Sequence, residues 1–518
     1  MAPSKAVADP HHYPPNLKPS ESEHLLATIK DWSVAHGLAV RPPPSVVSAE
    51  SDPHGILATT VPVTLFPSPF PRVCFEQARS IQKPYNELYA CIAQDEEFLN
   101  DIVQQIIEVD DFIAELWQVH LKVKEEGYTQ NLSLGLFRSD YMVHQSTAEE
   151  TPTIKQVEFN TIASSFGGLS SQTSKLHRHL SVSDYSFLEE TLRTSDLDLP
   201  DNESTKYLSL GLRAGFDIYT KSEIIHPCCI LFLAQEPERN IFDQRHLEYE
   251  LQQQKSPIPV FRLPFGQILS HTSIAETSKR ELLYHLPSNP KKKFEVAVVY
   301  FRAGYGPGDY PDASAWEARL HIERSNAIKC PTILTQLAGA KKVQQVLATP
   351  TSSTVSSTLH RLMKTEESSV KSLQATFTNI FPLDDTPAGL EARKLAIDPE
   401  KCKGYVLKPQ REGGGNNIYR TAIPPFLKSL PESHWKSFIL MEIIIPPPVQ
   451  NIILRNGALE QGGVICELGV YGTCLWDQAT KEIMHNEEAG YLLRTKGDKS
   501  EEGGVAAGFG SMDSCRLI

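Results

Sequence analysis

Potential chemistry in this chain gathers first around Lys408. The segment YVLKPQREGGGNNIYR brings Lys408, Glu412, the glycines Gly413, Gly414 and Gly415, and the amides Asn416 and Asn417 into one short stretch. A run of glycines exposes backbone N–H groups with no side chain in the way. Such a loop can close over phosphate oxygens, and a lysine beside it can neutralise them. A flexible linker would also tolerate GGG, but a linker rarely sets Lys, Arg, Glu and Asn immediately around it. The pattern GxxxxGK[ST] is absent, so the segment is not a Walker A loop.

Glu158 and Asn160 in VEFN form the next constellation. Residues two apart on a strand share a face, so a carboxylate and an amide oxygen would converge there, which suits a hard cation such as Mg²⁺. Taken alone the pair also reads as a polar strand edge. Thr161 to Gly168 follow with hydroxyls and a glycine turn. A third set suits a small zwitterion: Arg138 in FRSDY, Arg239, Asn240 and Gln244 in PERNIFDQR, Arg302 and Tyr305 in YFRAGY, and Arg494 and Lys496 in LLRTK. Arginine forks bind carboxylates with two donors, although each arginine by itself also fits a surface ion pair. His177 and His179 read as structural, Lys291–Lys293 as a solvated charge run, and GYGPG as a turn. No Ser/His/Asp or Cys/His set suggests a covalent nucleophile.

These residues need strands and loops to hold them. LSLGLFRSDYMVH and IKQVEFN carry β-branched or aromatic residues near alternating positions and read as strands. CCILFLA, a helix from about FDQRHLEYEL, and FEVAVVYF suggest an α/β unit. YVLKPQREGGGNNIYR reads as strand, glycine loop and return strand; ILMEII and GVICELGVYG read as further strands. From about Glu21 to Glu126 the pattern is mostly helical. EEFLNDIVQQIIEVDDFIAELWQVHLKVKEE repeats apolar residues at three- and four-residue steps, as a packing helix does. Residues 183–205 and the Ser/Thr-rich 349–360 read as loops, the latter leading into a helix, and GDKSEEGGVAAGFGS as a small-residue loop.

The 518 residues have room for several domains, and their net charge of −13 argues against a nucleic acid held over a broad basic face. The nine cysteines include no CxxC pair, so neither a disulfide framework nor a zinc site is indicated and reduced thiols are expected. No apolar stretch approaches the ~18 residues that span a bilayer, and the first residues lack a signal-peptide core. A cytoplasmic protein without membrane contact is expected.

VEFNTIASSFGGL, AQEPERNIFDQR, VVYFRAGY, CPTILTQLAGAKKVQQ, VLKPQREGGGNN, and LLRTK followed by GGVAAG appear in this order. Together they resemble the eukaryotic-type glutathione synthetases of the ATP-grasp superfamily. The resemblance implies an α/β fold of the ATP-grasp kind, with antiparallel sheets, an inserted parallel α/β substrate-binding domain and a helical N-terminal region. The expected division is a flexible arm at 1–20, a leading ATP-grasp segment at 21–226, the insertion at 227–340 and a closing ATP-grasp segment at 341–518. Glu158, Asn160 and Glu412 would then hold Mg²⁺, a pair of ions per subunit. Lys341, Lys408, Gly413 to Asn417, Tyr419, Met441, Glu442, Ile443, Ile444, Glu467, Lys496 and Glu502 would meet ATP, with Glu158 and Glu412 acting through the metal. The γ-glutamyl end of the dipeptide would meet Glu238, Arg239, Asn240, Gln244, Arg302, Ala303, Gly304 and Tyr305, beside Ile162, Ala163 and Ser164. Arg138 and Ser165 would face the reacting centre, with Lys408 and Arg494 sharing in catalysis. Arg494 with the backbone of Val505 and Ala506 would take a terminal carboxylate.

The implied reaction joins γ-glutamylcysteine to glycine at the expense of ATP, through an acyl phosphate, in a homodimer. Two features depart from the family pattern. Ala163 stands where relatives carry serine, leaving Ser164 and Ser165 as the hydroxyls, and Ala303 replaces a frequently acidic residue. Two other readings stay open at this point: a homologue that adds β-alanine or serine, and a non-catalytic nucleotide-binding protein.

Overall fold

The computed structural model describes residues 13–147, 149–220, 222, 226–349, 358–363, 367–412, 414–500, 505 and 510–518. Its framework is a mixed sheet of 13 strands among these residues. One half is antiparallel: Val449–Arg455, Ala458–Asp477, Ile483–Gly497, Leu132–His144 and Thr153–Asn160 pair in meander fashion. The other half is parallel: Cys228–Ala234, Val260–Pro264, Lys293–Phe301 and Ile328–Cys330. The halves join where Lys329 pairs with Ser133. The segments read as strands at 132–144, 154–160, 228–234 and 294–301 are strands, and Ile241–Gln253 is the helix expected near FDQRHLEYEL.

Strand alternation assigns the faces. Leu134 and Leu136 pack with Leu169, Leu208, Leu212 and Leu247 on one side of the sheet. Phe137 and Tyr141 pack with Tyr85, Tyr89 and Phe159 on the other, where the Tyr89 and Phe159 rings stack at 3.7 Å. Arg138 and Asp140 continue the line of Leu134 and Leu136. Across the ladder they face Asn160 and Glu158, whose own line opposes that of Phe159.

A smaller antiparallel sheet follows the order Ile380–Pro382, Phe438–Glu442, Tyr405–Pro409, Ile418–Tyr419. Leu407 and Leu440 point into its own core with Ile423, Leu427 and Trp435. Val406, Ile439 and Met441 take the opposite face, against Met142 and Val157 of the large sheet. The two sheets therefore face each other across a cleft, and the alternation that buries Leu407 turns Lys408 into it.

Two helical expectations need correction. The stretch 96–126 is not one helix but two, Glu96–Ile106 and Asp111–Glu126. Asp95 and Asp110 each cap an N-terminus by accepting an N–H three residues on, at 3.0 and 3.1 Å, and capping aspartates mark starts as surely as apolar spacing marks faces. Residues 36–71 form turns and short strands such as Ser68–Phe70 rather than helix, because RPPPS and FPSPFP deny helical N–H groups. The loop at 183–205 holds only short 3-10 turns before the helix Ser204–Ile218. The first twelve residues and 350–357 lie outside the described residues.

Candidate active site

The cleft between the sheets contains a cavity of about 520 Å³. Its apolar end is formed by Met142, Val157, Val406, Tyr419, Met441, Ile444 and Ile465, with Glu442 and Ile443 beside them. Its middle carries Arg138, Glu158, Asn160, Lys408, Glu412, Glu467, Arg494 and Lys496. Its polar end is lined by Ile162, Ala163, Ser164, Ser165, Gln235, Glu238, Arg239, Asn240, Arg302, Tyr305 and Val505. Gly414 and Asn417 line it from the glycine loop. No cysteine is among the lining residues.

Lys341 starts the helix Lys341–Ala348 and joins two carboxylates, its Nζ lying 3.1 Å from Glu158 Oε2 and 3.3 Å from Glu412 Oε1. Burial works to raise the Glu158 carboxyl, but the charges of Lys341, Lys408, Arg494 and Arg138 outweigh it and hold it below the usual range. Glu412 is pushed up to about 7, first by burial and then by the nearby Glu158 charge, against the pull of Lys341. Lys408 donates to the Val157 carbonyl at 2.9 Å, and burial lowers its pKa from the ordinary lysine value.

The oxygens present fit a hard cation. Lys341 takes one oxygen of each carboxylate and leaves the other. Asn160 commits its Nδ2 to the Arg138 carbonyl at 3.1 Å and to Asp140 at 3.0 Å, so the amide oxygen is its remaining ligand atom. No group of three or more His, Cys, Asp or Glu residues suited to a metal occurs among the described residues. A cation here would complete its shell from phosphate oxygens and water, as Mg²⁺ usually does.

Asp140 organises the arginines. Arg138 donates Nε to Asp140 Oδ1 at 2.6 Å and Nη2 to Oδ2 at 2.8 Å. Arg494, which pairs across the ladder with Glu467, reaches Asp140 Oδ2 with Nη2 at 2.9 Å and also bonds the Glu467 carboxylate. The sequence reading missed Asp140. Its signal was the Arg-x-Asp spacing, which puts it on the Arg138 face and opposite Glu158.

At the polar end, the loop 163–166 is tied from several directions. Arg302 donates Nη1 to the Ser164 carbonyl at 2.9 Å and Nη2 to Ser165 Oγ at 2.6 Å. Arg138 Nη1 and the Tyr471 hydroxyl donate to the Ser165 carbonyl at 3.1 and 2.6 Å. Asp243, also missed, accepts the N–H groups of Phe166 and Gly168 at 2.8 and 2.7 Å, which charges the start of the helix Gly167–Ser183 favourably. Ala163 and Phe166 take φ of +51° and +75°, a region costly for residues with a Cβ, so these ties hold an unfavourable loop in place. Ser164 Oγ turns away to the Leu136 carbonyl at 3.2 Å. Glu238 accepts the Asn240 N–H and Gln244 Nε2 at 2.8 and 2.6 Å. Buried atoms Asn240 Oδ1, Gln244 Oε1 and Arg302 Nε have no partner among the described residues. Acceptors near Glu238 and a donor on Arg302 match an ammonium and a carboxylate.

Several expected contacts are not among the lining residues. Gln244 does not line the cavity but orients Glu238. Lys341, Ala303, Gly304, Gly415 and Asn416 do not line it either; Ala303 is fully buried in the core. Gly413, Glu502 and Ala506 lie outside the described residues.

The family model described as eukaryotic glutathione synthase, ATP binding domain, matches residues 19–517. The chain is 41% identical to the glutathione synthetase large chain of Schizosaccharomyces pombe, over 96% of this chain and 98% of that one. It is 39% identical to glutathione synthetase of Homo sapiens, over 95% and 96% respectively. A solved structure of a glutathione synthetase-like effector from Globodera pallida superposes with a TM-score of 0.72 at 21% identity, covering 97% and 98% of the two chains. That likeness bears on the fold.

Proposed function

The chain belongs to the eukaryotic glutathione synthase family, and from that membership and the cavity we infer that it is an ATP-dependent ligase joining γ-glutamylcysteine to glycine. The observation that carries the reading is one cavity that combines an apolar end, a cationic centre and an end lined by groups suited to an amino-acid head.

The reaction needs a carboxylate made electrophilic. The cysteinyl carboxylate attacks the γ-phosphorus of ATP, ADP leaves, and an acyl phosphate forms. The glycine amine attacks its carbonyl, the tetrahedral intermediate collapses, and phosphate departs as the amide forms. Such chemistry asks for positioning and charge neutralisation rather than a nucleophile. Lys408 exchanges the Val157 carbonyl for a phosphate oxygen. Arg138 and Arg494, fixed by Asp140, present positive charge at the middle of the cavity. Arg302, Glu238 and Asn240 take the γ-glutamyl head group. Mg²⁺, held by Glu158, Asn160 and Glu412, would neutralise phosphate charge. The Gly414–Asn417 segment, which lines the cavity through Gly414 and Asn417, is suited to shielding the acyl phosphate from water. Arg494 with Val505 and Ala506 serves as the glycine carboxylate anchor.

Family resemblance further supports a homodimer acting in the cytoplasm. No helix among the described residues is long and apolar enough to cross a membrane. The test is product analysis with ATP, γ-glutamylcysteine and, in turn, glycine, β-alanine and serine. Glutathione from glycine, with far slower products from the others, supports the reading. Preference for another amino acid, or no product while nucleotide binds, overturns it.

A further inference from the structure

The two loops at the polar end of the cavity follow different parallel strands, Cys228–Ala234 and Lys293–Phe301. One side chain holds both. Asp309, at the end of the 3-10 turn Pro307–Asp309, accepts the N–H of Gly304 at 2.9 Å and of Tyr305 at 3.1 Å through Oδ2. Its Oδ1 accepts Gln235 Nε2 at 3.1 Å. From the other side the Gly304 carbonyl accepts the Tyr310 hydroxyl at 3.1 Å and Gln336 Nε2 at 3.0 Å. Gly304 has φ +83°, a conformation open to glycine and strained for other residues. The turn's shape therefore depends on these partners. It aims Arg302 and Tyr305, which flank it, and the Gln235 side chain also meets the Tyr305 hydroxyl. Asp309 itself does not line the cavity.

We propose that Asp309 is a positioning residue for the γ-glutamyl head group: it clamps the 302–305 turn to the 235–240 loop and so fixes the spacing between Arg302 and the Glu238–Asn240 pair. Arg302 suits the carboxylate and Glu238 the ammonium of one amino-acid head, and all three residues line the same cavity. The inference rests on the reading of this cavity end as the γ-glutamylcysteine site. A clamp of this kind acts on dipeptide recognition and leaves the nucleotide end alone, because no atom of Asp309 touches that end.

Steady-state kinetics of the full-length protein, varying ATP, γ-glutamylcysteine and glycine one at a time, provide the test. Asp309→Ala should raise the KM for γ-glutamylcysteine about tenfold or more, since small misplacements of a recognition pair are costly, with the other two KM values within about twofold. Asp309→Asn should stay within about threefold of the parent. Its Oδ1 can keep both N–H groups, and its Nδ2 can donate to Gln235 once that amide turns over. Asp309→Glu keeps the charge but is one methylene longer, so its dipeptide KM should rise severalfold even if Asp309→Ala fails to fold. An unchanged dipeptide KM in Asp309→Glu, or a parallel rise of all three KM values in Asp309→Ala, overturns the proposal. Failure of the parent protein to release phosphate from ATP, γ-glutamylcysteine and glycine would instead refute the reading beneath it.

Discussion

Arg138 holds Asp140 with both arms of its fork, Nε to Oδ1 at 2.6 Å and Nη2 to Oδ2 at 2.8 Å, in a position where Asp140 has no exposed surface. Arg494 shares the same carboxylate. Asp140→Asn removes the negative charge that the buried Arg138 guanidinium needs and that the half-buried Arg494 shares with Glu467. Breaking a buried pair from one side costs about 3–5 kcal/mol, so the variant should melt markedly lower and turn over slowly. An unchanged melting temperature would show that Asp140 does not hold these arginines.

Glu412→Gln keeps shape and removes charge. Turnover should fall by about a hundredfold or more if its carboxylate helps carry the phosphate-neutralising cation, with the melting temperature nearly kept, because Lys341 retains Glu158 at 3.1 Å. Magnesium titration of the variant checks this. Normal activity across the titration would remove Glu412 from the metal set.

Lys408→Ala should weaken ATP binding by about tenfold to a hundredfold, the worth of one charge-assisted hydrogen bond. Lys408→Arg should not restore it fully, since a planar fork is not a compact charge. Calorimetric titration of the three proteins decides, and equal affinities would take Lys408 out of the nucleotide site.

His177 supplies a pH dependence remote from the chemistry. Its Nε2 donates to the Thr64 carbonyl at 2.9 Å, so Nδ1 accepts from the Ser514 hydroxyl at 2.6 Å and the ring is neutral. Burial lowers its pKa to about 4. A lowered value means that its stabilising contribution is complete above the unfolded pKa near 6.5. That contribution is lost as pH falls toward about 4, and amounts to roughly 3 kcal/mol. The gap in melting temperature between the parent and His177→Gln should shrink steadily from pH 7 to pH 4.5. A constant gap would contradict the assignment.

The chemistry-bearing types were legible because strands alternate. Lys408 must enter the cleft once Leu407 is buried, and Glu158 must share a face with Asn160. What stayed hidden was which partner each side chain chooses. Arg138 and Arg494 read as forks for substrate, yet donors on both are committed to Asp140, an acid whose one sequence signal is its spacing from Arg138. Gln244 likewise serves Glu238 rather than lining the cavity. The break before Asp111 was hidden because apolar spacing runs through it; only the capping role of Asp110 ends the register. Lys341 was reached through family resemblance alone, since nothing in AKKVQQ says that one lysine will bridge two distant carboxylates.

The most direct test of the ligase account follows oxygen. γ-Glutamylcysteine labelled with ¹⁸O in its cysteinyl carboxylate is incubated with ATP, glycine and the protein, and the released phosphate is analysed by mass spectrometry. Transfer of one labelled oxygen to each phosphate, with the other retained in the new amide, is the predicted result. Unlabelled phosphate formed alongside glutathione would contradict the acyl-phosphate route, and ATP hydrolysis without glutathione would contradict the ligase itself.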